Sequence, residues 1–273
     1  GGEPCCPVAR TPRHLLLPPF EHPLLDWWAE DYDHVFIAFN PFFRVPGYTP
    51  QTAAYGPIHA NRGEFDDIGE LIDNPPVREN EAPEGFEIRI KERGQPVRWD
   101  EVQRDIGASD FNTFARTAWL WTLEAKRPDI DRVMAASLDG LAHYGLYPPE
   151  EDTLPVVMEP MIHRYLTALG IDDVTIWSEF RDASEEIDVA EFSRTNPPVR
   201  LEEHFVSAIS CDDPKILIAW AHDGVEAFVA MPDAVRRAAP PERFFEGRYA
   251  GIDTHVDWLN PHDFFARKTS RTS

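Results

Sequence analysis

The sequence predicts an α+β fold: a mostly antiparallel sheet of four to six strands with a helical layer on one face. Three observations carry this. Two apolar runs, Ile216–Ala221 and Val225–Met231, are joined by His222-Asp223-Gly224. Asp-Gly between such runs is the strongest short-range hairpin signal, because both residues tolerate positive φ. A nearly continuous apolar run, His34 to Asn40, reads as a strand buried on both faces. Between them, residues 99–141 place apolar side chains at helical spacing.

The chain has 273 residues, long for one domain and short for two. Hydrophobic residues make up 42%, with 17 Phe, 8 Trp and 7 Tyr, which is enough to supply a core. A chain of this size buries roughly 70–75% of its unfolded surface. The expected organisation is a flexible tail over 1–22, one α+β domain over 23–265 with an acidic, proline-rich insertion near 64–84, and a frayed basic tail over 266–273.

Pro23 can open a short helix in which Leu24, Trp27 and Trp28 share a face. After the strand at His34, Pro41, Pro46, Gly47 and Pro50 break regular structure, so Phe42 and Phe43 lie in a loop, anchored in the core or lining a pocket. FDDIGELI within the insertion reads as helix. Residues 85–91 alternate, with Phe86, Ile88 and Ile90 against Glu87, Arg89 and Lys91, which predicts a half-exposed strand. Trp99, Val102 and Ile106 form one face of a helix with Asp100 as N-cap and Gly107 as stop. Ser109 can cap a helix over 110–126, and Pro128 opens another over 128–141, the two forming an antiparallel pair. Glu159-Pro160 starts a helix that Gly170 ends, and Val174 to Trp177 reads as a strand. Residues 201–211 fit strand or helix. After the hairpin, residues 233–239 and 242–247 read as short helices and His255 to Leu259 as a last strand.

Net charge is −22, from 48 acidic and 26 basic residues. A field of that sign repels nucleic acid and anionic membrane surfaces. It fits a solvated surface, a salty habitat or a basic protein partner. The region from Glu150 to Arg194 is densest, with 12 acidic and 3 basic residues. Of the three cysteines, Cys5 and Cys6 are adjacent, with Cα atoms about 3.8 Å apart. That is closer than ordinary disulfide geometry allows, so a reducing, cytoplasmic setting fits best. No apolar run approaches the roughly 20 residues that span a bilayer, and the apolar patch near the start is too short for a signal peptide. The start at Gly1 leaves a truncated or processed beginning open.

Motifs for dinucleotides, P-loop phosphates, zinc proteases, nucleophile elbows and EF-hands are absent. The best metal candidate is DTHVDWLNPHD. On a strand, His255 and Asp257 point to one face, and His262 can swing back to them; His with carboxylate suits a divalent transition metal. Edge polar residues are the plain alternative, and no cofactor is otherwise implied. Cys211 beside Asp212-Asp213 is disfavoured as a nucleophile. Glu202-Glu203-His204 reads most simply as a surface carboxylate–His pairing. The acids of 150–191 could pair for acid–base work, with none singled out.

Several phrases carry a resemblance: FIAFNPFFRVPG, PVRWDEVQRDIGASDFNTFARTA, and the hairpin followed by FFEGRYAGIDTHVDW. Together, over residues 34–258, they resemble a bacterial family known as domain of unknown function 2711. That family implies no activity and no catalytic residue. The acidic layout also looks like small immunity proteins that neutralise toxins, an analogy of fold and charge. The expected function is therefore a cytoplasmic, non-catalytic binding module of immunity or inhibitor type for a basic protein partner. The alternative is a metal- or carboxylate-dependent enzyme on a small molecule.

Overall fold

The computed structural model describes residues 10–58, 78–125 and 127–260. Nine strands occur there: β1 (His34–Phe39), β2 (Phe42–Arg44), β3 (Gln95–Val97), β4 (Asp173–Trp177), β5 (Ser184–Asp188), β6 (Ala208–Asp212), β7 (Lys215–Trp220), β8 (Glu226–Met231) and β9 (Gly247–Tyr249). Seven of them form an antiparallel sheet in the order β5-β4-β6-β7-β8-β1-β9, and β2 pairs with β3 in a separate ribbon. The fold is α+β with a mostly antiparallel sheet. The strand number exceeds expectation because β5 (SEEID) is too polar and β9 too short to show apolar alternation.

Seven α-helices are described: α1 (Leu24–Trp27), α2 (Phe86–Arg93), α3 (Trp99–Asp105), α4 (Phe111–Thr122), α5 (Arg132–His143), α6 (Glu159–Ala168) and α7 (Asp233–Ala238). The two faces of the sheet pack into two cores. Phe36 and Ala38 of β1 and Val229 and Met231 of β8 meet Ile162, Tyr165 and Leu166 of α6. Val35, Ile37 and Phe39, with Phe228 and Ala230, meet Trp99, Val102, Phe114 and Ala118 of α3 and α4. The helical layer expected on one face thus has a counterpart on the other. This is why β1, β7 and β8 read as continuous apolar runs. Each fully buried Ile or Val in them contributes about 1.5–3 kcal/mol relative to exposure. A third core beside the sheet gathers Phe43, Val45, Phe86, Ile90, Tyr147 and Val157. As expected, Phe43 is a core anchor, although it belongs to β2 and not to a loop.

The hairpin forms in the register Leu217↔Ala230 to Trp220↔Ala227. Its left-handed residue is Asp223, at φ 57. Gly224 serves close approach instead, since a Cβ there would lie 3.0 Å from the Ala221 carbonyl oxygen. A second hairpin, β6–β7, turns through the cis Asp213-Pro214 bond.

Several local expectations are corrected. Residues 85–91 are not a strand; Gly85 precedes α2 and residues 86–91 belong to it. Phe86 and Ile90, four apart, share its buried face, while Ile88 is half exposed. The period-two pattern was fortuitous, with Ile88 on the solvent side. Asp100 does not cap α3: the Glu246 side chain reaches across to accept from Trp99 N and, at 3.0 Å, from Asp100 N. Asp110, not Ser109, caps α4, accepting from Thr113 N at 2.8 Å. Residues 255–259 form turns and no strand. Part of the expected tail is fastened: Leu15 is buried and its carbonyl accepts from Arg181 Nε at 2.9 Å. The helix expected at FDDIGELI lies outside the described residues. Among the described residues no helix is long and apolar enough to cross a membrane.

Candidate functional site

At one end of the sheet, four segments converge: the β4–β5 turn, the β7–β8 loop, the connection 147–153, and the start of α2. They enclose a cleft of about 1070 Å³. Among the described residues lining it, ten are Asp or Glu and one is Arg. That one, Arg78, is already engaged by Glu81, with Nε 2.8 Å from Oε2.

One anchor of the cleft is Asn40, the residue after β1. Asn40 is fully buried. Its carbonyl accepts from Trp99 Nε1 at 2.8 Å, its Oδ1 accepts from Trp220 Nε1 at 3.1 Å, and its Nδ2 donates to the Glu150 carbonyl at 2.8 Å. This holds the proline-flanked segment 148–155 over the strand ends. Glu150 is then fixed by both carboxylate oxygens: Oε1 accepts from Tyr55 OH at 3.0 Å and Oε2 from Val156 N at 2.7 Å. Burial pushes its carboxyl up to about 7; the Glu159 carboxylate adds to this, against the pull of its hydrogen-bond donors. The Tyr55 phenol is pushed upward by burial and by the Glu150 charge. Burial raises Glu151 further, to about 8, with Asp152, Asp223 and Glu124 repelling its charge. Burial also raises Asp152, against the Asp223 N–H and His222.

Beside these acids the hairpin loop supplies His222 and Asp223. Asp152 Oδ1 accepts from Asp223 N, and Asp152 N donates to the Gly224 carbonyl at 3.0 Å. Trp119 of α4 pins the loop through Nε1 to the Asp223 carbonyl at 2.7 Å. His222 lies between two carboxylates, 3.8 Å from Asp152 and 3.6 Å from Asp223. Donor atoms of the three residues lie within 4.8 Å of one another, the one such grouping of His, Cys and carboxylates among the described residues. His222 and Asp223 are turn residues, as expected, but they also stand together at the cleft.

Of the metal candidates named from sequence, His255 and Asp257 fall elsewhere. His255 Nδ1 lies 2.9 Å from the Phe20 carbonyl, and Asp257 accepts from Asn260 N within its turn at 2.8 Å. His262 lies outside the described residues. Cys211 is half buried, and burial pushes its thiol up, as its acidic neighbours also do. Glu203 and His204 do line the cleft, as does Asp182, whose carboxyl is held below its ordinary value chiefly by the Ser178 hydroxyl and less by His204. Tyr55 and the Glu150–Asp152 run were not singled out by sequence. The only signal was the conjunction PPEED: acids on a conformationally restricted connection.

Comparison with curated proteins and with solved structures finds no match. A family described as protein of unknown function (DUF2711) matches residues 21–260, which include every described residue that lines the cleft, and the chain belongs to that family.

Proposed function

We propose that the protein is a binding module for a cationic group, received in the acidic cleft. The ten acidic residues facing one engaged arginine carry this reading. Low-dielectric walls focus such a field and raise the local concentration of cations. The cleft volume is at the upper end of pockets for small ligands, so it admits a polyamine or the basic side chains of a protein. Isothermal titration of the full chain with spermine at pH 8 and low salt tests the reading. A salt-sensitive affinity that falls at least about tenfold in Glu150→Gln/Glu151→Gln supports it. No binding at low salt of either spermine or a basic peptide sinks it.

A second reading, a carboxylate-dependent enzyme, is favoured by Glu150 itself. A carboxyl oriented by Tyr55 and Val156 N and poised at about 7 suits proton transfer near neutrality. Mass spectrometry of a mixed amine pool incubated with wild type or with Glu150→Gln tests it; conversion that is equal in both variants, or absent from both, rules it out.

A further inference from the structure

Packing does not account for two phenylalanines at the mouth of the cleft. Phe180 is 77% exposed and Phe205 78%, and both line the mouth. Both sit on loops whose backbone is held by hydrogen bonds. In the β4–β5 turn, Ser178 Oγ donates to Asp182 Oδ1 at 2.6 Å and accepts from Ala183 N at 3.0 Å. Arg181, buried at φ 60, turns its guanidinium inward. It donates to the carbonyls of Ser178, Glu179 and Leu15 at 2.8–2.9 Å. The residue before it is thereby presented to solvent. On the other side, Val206 accepts from Leu154 N at 2.9 Å and Ser207 N donates to the Trp177 carbonyl at 2.8 Å, fixing the backbone that carries Phe205. Burying either ring on a partner therefore costs little ordering entropy.

Carboxylates accompany both rings in the chain: Glu179 and Asp182 flank Phe180, and Glu203 is two residues from Phe205, all of them lining the cleft. Ring faces next to carboxylates form the recognition set for guanidinium, which stacks on aromatics and pairs with carboxylates in a planar fork. The ammonium groups of a small polyamine are met by the inner carboxylates alone. The rings lie farther out, where the main chain of a larger partner would run. We propose that the cleft mouth docks an arginine-bearing extended segment of a basic partner protein, with Phe180 and Phe205 stacking on its guanidinium groups. This rests on the cleft being a cation site.

The test titrates the full chain at pH 8 and low salt with three probes: a peptide alternating Arg and Ala, its Lys counterpart, and spermine. Wild type is compared with Phe180→Ala/Phe205→Ala, with circular dichroism melts as the check on folding. Exposed cation–π contacts predict about 2- to 5-fold per ring, so the Arg peptide should weaken roughly tenfold, the Lys peptide less, and spermine by under about twofold. An Arg peptide that binds the double variant as well as wild type overturns the docking proposal and leaves the cation site standing. So does an equal loss for spermine. If wild type binds neither spermine nor peptide, the cation site falls and the docking with it.

Discussion

Replacing Lys91 by Met should be among the most damaging single changes in the chain. Lys91 and Glu159 are each about 1% exposed, with Nζ 3.0 Å from Oε1. Nζ also donates to the carbonyls of Glu191 and Pro197 at 2.7 and 2.8 Å, and Glu159 Oε1 accepts from Val199 N at 3.0 Å. The pair therefore ties α2, α6 and the loop 191–199 together inside the protein. Met matches the lysine stem but leaves a buried carboxylate with one backbone donor and two carbonyls without their ammonium. Breaking a buried pair from one side costs about 3–5 kcal/mol. With a urea m-value of about 3 kcal/mol/M, the midpoint should fall by about 1–1.7 M. The penalty should depend on pH. Burial raises Glu159 to about 6 even with Lys91 opposing the shift, and removing Lys91 raises it further. A folded carboxyl above its unfolded value costs nothing below the unfolded value, and its penalty grows as pH climbs through the folded one. The loss should therefore be largest at pH 8 and shrink towards pH 5, where the carboxyl is neutral. The double change Lys91→Met/Glu159→Met should recover most of the stability, because an apolar pair of similar volume carries no desolvated charge. A Lys91→Met midpoint within about 0.3 M of wild type at pH 8, or a double variant as unstable as the single one, would refute the reasoning.

Three other outcomes are expected. Arg181→Ala strips the hydrogen bonds from three carbonyls and should cost about 2–4 kcal/mol. Hydrogen exchange should quicken both in residues 13–16 and in the β4–β5 turn, and quickening in only one of them would separate the two roles given to Arg181. Two glycine changes should move in opposite directions. Gly247→Ala drives a Cβ against the Ile37 carbonyl oxygen and to 2.8 Å from the Phe36 ring, and should lower the melting temperature. Gly140→Ala, inside α5 with open space around it, should raise stability by about 0.5–1 kcal/mol. Finally, spermine affinity should rise between pH 6 and pH 9 as Glu150, at about 7, and Glu151, at about 8, give up their protons. The stability contribution of these two runs the other way, complete below the ordinary carboxyl range and lost as pH climbs through 7 and 8. In Glu150→Gln the lower of the two affinity steps should vanish, and an unchanged pH profile would remove Glu150 from binding.

The parts of the fold legible in the sequence are those where one local pattern has one physical meaning. β1, β7 and β8 are apolar on both sides because helices cover both faces of the sheet, and no helix so short would need that. Strand β5 could not be read, since four of its five side chains face solvent and only Ile187 is buried. α2 was misread because its buried residues, two turns long, coincide with an alternation of charges. The cap of α3 was misread because the carboxylate that serves it, Glu246, lies far along the chain. The candidate site fails to show for the same reason at larger scale. Its carboxyls are perturbed by burial, and burial is set by segments remote in sequence. Glu150 is an ordinary acid in an acidic stretch until Tyr55, Val156 and Asn40 close around it. Asn40 shows the limit most sharply. Its place at the end of a strand is readable from FIAFNP, and a polar residue there suggests only a turn. That it is fully buried, and joins Trp99, Trp220 and Glu150, follows from three other segments arriving at one point. The DTHVDWLNPHD cluster drew attention because its His and Asp are close in sequence, whereas the grouping found among the described residues, Asp152 with His222 and Asp223, joins the connection 147–153 to the hairpin loop. Chemistry built on loops at one end of an antiparallel sheet is assembled by topology, so proximity along the chain is a poor guide to it.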